Sequence, residues 1–283
     1  MKVVITTSEL KPLLAEKCSP KKRVLVATMG SLHEGHLALI HRARQIAGTE
    51  GVVILSLFVN PTQFDQADDL RHYPRALEQD LALCKKHGVD IVFAPESGDI
   101  YHSDHSVTVT ESSLSQRLCG ASRPGHFDGV CTVVLKLFNL TQPNIAIFGK
   151  KDYQQLAIIR RMVRDLNIPI SIEGLETVRE QSGLALSSRN QRLSQQQRSD
   201  AQRIRRALLA AQTAHQQGEK SAQSLLNIVS DIIESSELDV EIDYLELLDQ
   251  DDLQPVETLS SPAIIATAVF YEQVRLIDNI ELA

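Results

Sequence analysis

Short apolar runs alternate with amphipathic helical patterns through about the first 170 residues, and this alternation constrains the fold more than any other feature. The apolar runs are rich in Val, Ile, Leu and Phe and cover residues 24–28, 52–59, 90–94 and 144–148. The helical patterns lie at residues 36–47, 73–87, 129–140 and 153–166. Buried strands that alternate with helices form βαβ units and a parallel sheet covered on both faces. We therefore predict an α/β fold with a Rossmann-like parallel sheet and helices on both of its faces.

The pattern changes after about residue 176, and a second domain is predicted there. A loop leads to a helix start at Ser194, and helical segments rich in Gln and Arg continue to about Ser235. Three strand-like segments follow, at residues 240–249, 263–270 and 274–282. We predict that residues 1–176 form the α/β domain. Residues 177–283 are predicted to form a smaller α+β domain with an antiparallel sheet.

Charge and cysteine usage exclude several classes of protein. The 283-residue chain has a formal net charge of −7 and an isoelectric point of about 5.7, so nucleic acid is not expected as its main partner. Its four cysteines form no CxxC pair, which favours a reducing compartment. No segment resembles a signal peptide, and no apolar run approaches a membrane span in length. We expect a cytoplasmic protein with no membrane partner.

Polar and glycine-rich segments follow three of the predicted strands, at the point where each strand ends. They are TMGSLHEGH at residues 28–36, NPTQF at residues 60–64 and GKKDYQQ at residues 149–155. Because right-handed crossovers place the carboxyl ends of parallel strands along one edge, these segments are expected to be neighbours in space. Ligands bind beyond that edge in open α/β sheets, so a binding site is predicted there.

The first of these segments is not a standard metal or nucleotide motif. His33 and His36 are three residues apart, whereas the HExxH zinc pattern needs four, and a P-loop needs lysine where His36 stands. Two interpretations remain: a glycine-rich turn with incidental histidines, or a phosphate-binding loop. Gly30 and Gly35 permit close backbone approach, and N–H groups at a helix N-terminus bind anions, which favours the second. The HxGH turn resembles the ATP-binding turn of the nucleotidylyltransferase and class I synthetase superfamily.

Five segments, TMGSLHEGH, FVNPTQF, RPGHFDGV, FGKKDYQQL and GLALSSRN, occur in this order between residues 28 and 190. Together they resemble the pantoate–β-alanine ligase (pantothenate synthetase) family. The resemblance implies that pantoate is joined to β-alanine while ATP is cleaved to AMP and pyrophosphate, through a pantoyl-adenylate. It also implies a requirement for Mg²⁺ and a cytoplasmic homodimer.

The resemblance further implies roles for individual residues. Catalytic roles fall on His33, His36, Lys151, Ser187, Ser188 and Arg189. ATP binding falls on Thr28, Met29, Gly30, His33, His36, Gly149, Lys151, Asp152, Leu186, Ser187, Ser188 and Arg189. Pantoate binding falls on Met29, Asn60, Gln63 and Gln155. The metal ligands are not identified. Residues 1–176 are expected to bind ATP and pantoate, and residues 177–283 to form a lid and take part in the dimer.

Several of these side chains also have a plain structural interpretation. Lys151 suits phosphate as a point charge, yet a lysine in this setting is often simply solvated. Asp152 could cap the helix that follows it as well as reach a ribose. Gln63 and Gln155 can both donate and accept, as a hydroxy acid requires, but they are also ordinary loop residues. Asn60 precedes a proline and suits a turn or a ligand contact equally.

Arg189 could pair within the C-terminal domain, although the two serines before it favour an anion site. Three positions depart from the family pattern. Ala27 stands where proline is usual, Lys150 where glutamate is usual and Leu186 where methionine is usual. Ala27 is expected to reduce loop rigidity and Lys150 adds a positive charge, whereas Leu186 keeps the side-chain volume.

Three other functions remain as alternatives. Another HxGH nucleotidylyltransferase would transfer AMP to a phosphorylated acceptor, and would favour Arg or Lys near Gln63 and Gln155. A non-catalytic nucleotide-binding module would bind ATP without turning it over. A dehydrogenase on the same kind of sheet is disfavoured because the sequence lacks GxGxxG.

Overall fold

The structure, a computed structural model, describes residues 1–18, 21–64 and 67–283. The chain divides into two compact units. The N-terminal unit comprises Met1–Lys150 and Gln155–Glu176, and the C-terminal unit comprises Lys151–Gln154 and Thr177–Ala283. Among the helices of the described ranges, none is long and apolar enough to cross a membrane.

The N-terminal unit is built on a six-stranded parallel sheet with the strand order β1-β4-β3-β2-β5-β6. The strands are β1 (Lys2–Val4), β2 (Arg23–Thr28), β3 (Val52–Leu57), β4 (Ile91–Phe93), β5 (Ile145–Gly149) and β6 (Ser171–Leu175). Every residue of β3 is buried, because a central strand covered on both faces needs an unbroken apolar sequence. The predicted α/β class with a parallel sheet is confirmed.

Helices form the connections between these strands. They are α1 (Thr7–Cys18), α2 (Glu34–Ala47), α3 (Ala67–His72), α4 (Leu77–Lys86), α5 (Ser97–Ile100), α6 (Cys119–Ser122), α7 (His126–Thr141) and α8 (Tyr153–Asp165). In α2 the residues Leu37, Ile40 and Ala43 recur at helical spacing and are buried. They form one core cluster with strand residues such as Val26 and Leu55. The spacing of apolar residues therefore selects the face that α2 packs against the sheet.

The start of one predicted helix is wrong, and several helices and strands of the N-terminal unit have no counterpart in the sequence prediction. The helix expected over residues 73–87 is shorter than predicted, because a break separates α3, which ends at His72, from α4, which begins at Leu77 and ends at Lys86. Pro74 explains the break, since proline disfavours helical geometry in the residue before it and removes a backbone donor. Strands β1 and β6 lie at the edges of the sheet and lack a long apolar run, which leaves little signal for them or for α1.

The C-terminal unit contains the antiparallel sheet that the sequence predicts, in the order β7-β8-β9. Its elements are α9 (Gln195–Asp200), α10 (Gln202–Gln216), α11 (Ala222–Glu234), β7 (Val240–Asp249), β8 (Ala263–Tyr271) and β9 (Val274–Leu282). Leu208 and Leu225 on the helices form one core cluster with strand residues such as Ile265. The side chain of Ser194 accepts the Gln197 N–H at 3.2 Å and caps α9, so the helix begins where predicted.

A partly buried carboxylate joins three elements of the C-terminal unit. Asp200, at the end of α9, accepts hydrogen bonds from the hydroxyls of Tyr271 and Ser236, each at 2.9 Å. The guanidinium of Arg203 also donates to it, at 2.5–3.0 Å. Burial by itself would raise the pKa of Asp200, but the hydrogen bonds from Arg203, Ser236 and Tyr271 outweigh burial and lower that pKa.

Asp200→Asn is expected to lower the melting temperature by about 3–6 °C at pH 7, because hydrogen bonds to a charged group are lost. A carboxyl whose folded-state pKa is lowered stabilises the fold above the unfolded pKa, near pH 4, and loses that contribution as the pH falls through the folded pKa. The difference from the unmodified protein should therefore shrink below about pH 4 in thermal melts. The exposed Asp231→Asn serves as control. A constant difference from pH 3 to pH 7 would contradict this account.

Candidate active site

The loop between β2 and α2 is held in a fixed shape by glycine geometry and by the neighbouring strand. Thr28 Oγ1 donates to the carbonyl oxygen of Ser56 on β3 at 2.9 Å, and it accepts the Gly30 N–H at 3.3 Å. Gly30 has a φ of +86°, a region that favours glycine, and Ser31 has a φ of +52°. The loop therefore turns sharply directly after β2 and runs into the N-terminus of α2.

His33 and His36 cap the helix that follows this loop. His33 Nδ1 accepts the Gly35 N–H at 3.2 Å, and His36 Nδ1 accepts the His33 N–H at 3.3 Å, which is a capping box made by two imidazoles. The ring centroids are 4.1 Å apart. An Nδ1 that accepts a backbone N–H carries no proton, so each neutral ring has its proton on Nε2. The pair thus combines Nε2–H donors with the N-terminus of a long helix, which is the chemistry of an anion site.

Asp80 on α4 anchors the same loop, although it is not among the residues predicted from the sequence to form the site. Its carboxylate accepts the N–H groups of Ser31 and Leu32, both at 2.8 Å, and the residue is 3% exposed. A Cβ atom on Gly30 would lie 3.1 Å from Asp80 Oδ2, so the loop and the carboxylate fit closely. The sequence offers only a weak signal that Asp80 is buried. It lies one helical turn before Cys84, which is buried on the same helix.

The turn after β3 brings together three residues predicted to bind pantoate. Asn60 is 1% exposed, and its Nδ2 donates to Gln63 Oε1 and to the Gly129 carbonyl oxygen, each at 3.1 Å. Gln63 Nε2 in turn lies 3.2 Å from Met29 Sδ. Because its amide is engaged inside the protein, Asn60 is better suited to hold Gln63 than to touch a ligand itself. Direct contact between any of these residues and pantoate stays a prediction.

The backbone of Gln63 is fixed from a second side. His126 Nδ1 lies 2.8 Å from the Gln63 carbonyl oxygen, and Arg123 Nη2 donates to the same oxygen at 3.2 Å. Arg123 Nη1 also lies 3.3 Å from His126 Nε2. This arrangement gives the RPGHFDGV segment a supporting role. It also places a guanidinium beside Gln63, directed at the main chain.

Gly129→Ala is expected to raise the KM for the acid substrate about tenfold, because the added methyl group displaces the turn that holds Gln63. A Cβ at this position would lie 2.5 Å from the Thr62 carbonyl oxygen and 2.7 Å from the Gln63 nitrogen. Gly98→Ala is the matched control, since a Cβ there meets nothing within 4 Å. Steady-state kinetics with both variants test the prediction. An unchanged KM in the Gly129 variant would show that the turn tolerates displacement.

Adjacent strands place the predicted segments of the N-terminal unit at one edge of the sheet. β3, β2 and β5 are consecutive in the sheet, and their carboxyl ends carry the turn at Asn60, the loop at Met29 and Gly149 respectively. Gln155 follows in the first turn of α8. Lys150, where the family usually has glutamate, forms an ion pair with Glu176 after β6, so its charge is compensated locally.

The C-terminal unit contains the remaining predicted residues. Lys151 Nζ lies 3.8 Å from Asp152 Oδ2, and its side chain is 18% exposed. Asn279 on β9 donates to the Lys151 carbonyl oxygen at 3.0 Å, which fixes the backbone of this turn. Lys151 and Ser187 both line a small recess, with Asn190 and Asp278 among its other walls. The structure therefore brings a lysine of GKKD and a serine of GLALSSRN together. Asp152 remains partly exposed beside them.

The SSRN segment forms a capped 3₁₀ turn over Ser188–Arg192. Ser187 Oγ accepts the Arg189 N–H at 3.2 Å, and the Leu186 N–H donates to the Val178 carbonyl oxygen at 3.0 Å. Asn190 is buried and donates to the Ala185 carbonyl oxygen at 3.0 Å. The segment is thus a defined turn, held by the Ser187 and Asn190 side chains and by a backbone contact with Val178.

The buried thiols are unsuited to nucleophilic catalysis. Burial raises the pKa of Cys84 to about 12, with the Asp80 charge adding to the effect. Burial likewise raises the pKa of Cys131 to about 12, helped by the Glu111 and Asp128 charges. Both thiols therefore stay protonated near neutral pH. In the part of the chain that the structure describes, no group of three or more His, Cys, Asp or Glu side chains could hold a metal ion.

Comparison with known proteins decides the family. A family model described as pantoate-beta-alanine ligase matches residues 2–281. The chain belongs to this family. It is 54% identical over 259 residues to the pantothenate synthetase of Akkermansia muciniphila, which covers 92% of each protein. It is 45% identical over 281 residues to that of Thermosipho melanesiensis, which covers 99% of each. The resemblance drawn from the five segments is confirmed.

Solved structures of the family share the fold over nearly the whole chain. A crystal structure of pantothenate synthetase from Thermus thermophilus has a TM-score of 0.91 at 42% identity, covering 99% of each chain. A pantoate-beta-alanine ligase from Francisella tularensis, crystallised with beta-gamma ATP and beta-alanine, has a TM-score of 0.80 at 32% identity. That match covers 99% of this chain and 97% of the other.

Proposed function

We propose that this protein joins pantoate to β-alanine and cleaves ATP to AMP and pyrophosphate, through a pantoyl-adenylate. Membership of the pantoate–β-alanine ligase family supports an ATP-dependent ligase acting on these substrates. The proposal rests on one observation: two of the predicted binding segments follow neighbouring strands of the sheet. The His33–His36 pair follows β2, and the Asn60–Gln63 turn follows β3, with Gln63 reaching Met29 from that turn.

The first step needs alignment and charge stabilisation and no nucleophile from the protein. A carboxylate oxygen of pantoate attacks the α-phosphorus of ATP, an O–P bond forms, and the bond to the pyrophosphate leaving group breaks. His33 and His36 suit the phosphates because their neutral Nε2–H groups can donate to developing negative charge without a change of protonation, and the dipole of α2 adds positive potential there. The β-alanine amine then attacks the acyl carbon, AMP leaves, and the amine loses a proton.

Neutral amides suit recognition of the acid. Pantoate presents a carboxylate and hydroxyl groups, so its site needs donors for the first and both donors and acceptors for the second. Gln63, held on both its side chain and its carbonyl, supplies Nε2–H groups, and Gln155 at the start of α8 supplies a second amide. We assign both to pantoate, and Met29 to the wall beside them.

We propose that the phosphates of ATP are bound by Lys151 and by Ser187, Ser188 and Arg189 of the SSRN turn. A lysine, two hydroxyls and a guanidinium are all donors, which suits a polyphosphate. Thr28, Met29, Gly30, Gly149, Asp152 and Leu186 are proposed to contact the nucleotide through backbone or side-chain atoms. A water-excluding lid formed by this turn would protect the acyl-adenylate from hydrolysis.

The composition of this site is compatible with Mg²⁺ that enters bound to ATP. Mg²⁺ is usually held by phosphate oxygens and water with one or two carboxylates, so a dedicated cluster of protein ligands is not required. We propose that it neutralises charge on the triphosphate. We further propose that the protein acts as a homodimer in the cytoplasm, where ATP is available.

One isotope experiment tests the chemistry. The protein is mixed with MgATP and pantoate labelled with ¹⁸O in its carboxylate, and pyrophosphate is measured before β-alanine is added. Pyrophosphate release that needs pantoate, followed by ¹⁸O in the AMP formed once β-alanine is present, is the expected result. Absence of pyrophosphate and AMP under all conditions would remove the ligase proposal. AMP transfer to a phosphorylated acceptor instead would favour the related nucleotidylyltransferases.

A further inference from the structure

The direction of the Asn60 amide decides what Gln63 offers to a ligand. An amide has a donor end and an acceptor end of nearly equal size, so its hydrogen-bond partners determine which way it faces. Asn60 Nδ2 faces two acceptors, Gln63 Oε1 and the Gly129 carbonyl oxygen. Since Gln63 Oε1 is thereby used as an acceptor, the other end of the Gln63 amide, Nε2, points toward Met29 Sδ.

The opposite end of the Asn60 amide is held by hydroxyl groups. Tyr101 Oη donates to Asn60 Oδ1 at 2.8 Å, and Thr62 Oγ1 donates to the same oxygen at 3.0 Å. Tyr101 follows α5 and is 8% exposed. Its ring is held in place by Phe58, with centroids 6.3 Å apart, and by Lys136 Nζ, 5.5 Å from the ring centroid. A rigid, buried hydroxyl therefore meets a rigid, buried amide.

We infer that Tyr101 is a positioning residue for the acid substrate: its hydroxyl orients the Asn60 amide, which in turn makes Gln63 present N–H donors. This inference rests on the proposed function, because it takes Gln63 as a residue that contacts the acid. The ligand class that the relay selects is an anion or oxygen acceptor. The thioether sulfur of Met29 is a weak acceptor, so a carboxylate or hydroxyl oxygen can replace it as the partner of Gln63 Nε2 with a gain in bond strength.

The phenol is suited to this task over the whole physiological pH range. Burial raises the pKa of Tyr101, while the contact with the Thr62 hydroxyl, 3.2 Å away, partly offsets the effect. The hydroxyl therefore keeps its proton and remains a donor. Thr62 lies on the same turn as Asn60, and its hydroxyl donates to the same oxygen as the Tyr101 hydroxyl. Loss of one hydroxyl therefore leaves one donor to Asn60 Oδ1, and loss of both leaves none from this pair.

Tyr101→Phe tests the relay because it removes one oxygen and keeps the ring. We expect the KM for pantoate to rise about fivefold, with kcat and the KM for ATP changed less than about twofold, since one buried hydrogen bond is lost. Thr62→Val should act in the same direction, and Thr62→Ser, which keeps the hydroxyl, should stay near the unmodified protein. The double variant Tyr101→Phe/Thr62→Val should raise the KM by more than the product of the single effects.

Tyr271→Phe is the matched control. Tyr271 is also buried and also donates, at 2.9 Å to Asp200 in the C-terminal unit, so its loss reports the general effect of deleting a buried phenol oxygen. It should lower thermal stability and leave the pantoate KM unchanged. An unchanged pantoate KM in Tyr101→Phe and in the double variant would overturn the relay while leaving the ligase proposal standing. An equal rise in the KM values for pantoate and ATP would also overturn it. If the unmodified protein showed no pantoate-dependent cleavage of ATP, the result would instead count against the ligase proposal.

Discussion

Replacing Lys151 by alanine is expected to lower kcat by about 100-fold or more while the fold is retained, because it removes the charge that we assign to the transferring phosphate. The backbone at this position is held by Asn279, whose side chain donates to the Lys151 carbonyl oxygen, so the turn should keep its shape without the ammonium group. The ammonium itself is largely shielded, since the Lys151 side chain is 18% exposed. Pyrophosphate release in a single turnover is the measurement, because it isolates the adenylation step.

The neighbouring lysine offers a control in the same 3₁₀ turn. Lys150→Ala removes an identical charge, but Lys150 is paired with Glu176, so its loss should change kcat less than about threefold. Circular dichroism and thermal melts of both variants establish that the fold is intact. Equal losses in the two variants would mean that net positive charge in the turn matters and the position of Lys151 does not. A near-normal rate in Lys151→Ala would remove it from the phosphate site.

The parts of the site that were predictable from sequence are those that end a strand. The loop at Met29 and His33 and the turn at Gln63 are polar segments placed directly after apolar runs, and a parallel sheet puts such segments on one edge. Their positions after β2 and β3 are as predicted. The capping arrangement of His33 and His36 is local as well, but nothing in the spacing indicates that each ring accepts the backbone N–H of a near neighbour.

Contacts between distant segments were beyond sequence reasoning. Asp80 reaches a loop 48 residues earlier in the chain at Leu32, and Tyr101 reaches Asn60 across 41 residues. Each is an ordinary residue of its own segment, and only the packing of α4 and of the segment after α5 makes it part of the site. Gly129 is similar, because its requirement for glycine comes from the turn at Thr62 and not from the helix that contains it.

Asp80→Asn is the second change with a large expected effect. We expect kcat/KM for ATP to fall about 100-fold, because two hydrogen bonds to a buried charge, from the loop that we propose to bind phosphate, are lost or weakened together. Asparagine keeps one oxygen, but its amide nitrogen must then face a backbone N–H, either that of Ser31 or that of Leu32. The donor–donor contact forces the loop to move, and the helix cap at His33 moves with it.

Two measurements separate this effect from a loss of stability. Amide hydrogen exchange should speed up at Ser31 and Leu32 and stay unchanged in β3, where every residue is buried. Glu78→Gln is the control, because it removes one negative charge from an exposed position on α4. It should leave both amide exchange and kinetics unaltered. If Asp80→Asn lowered kcat/KM for ATP with normal protection at both amides, the carboxylate would have to act on the nucleotide or its metal directly. Loss of protection throughout β3 would show instead that Asp80 supports the core of the N-terminal unit.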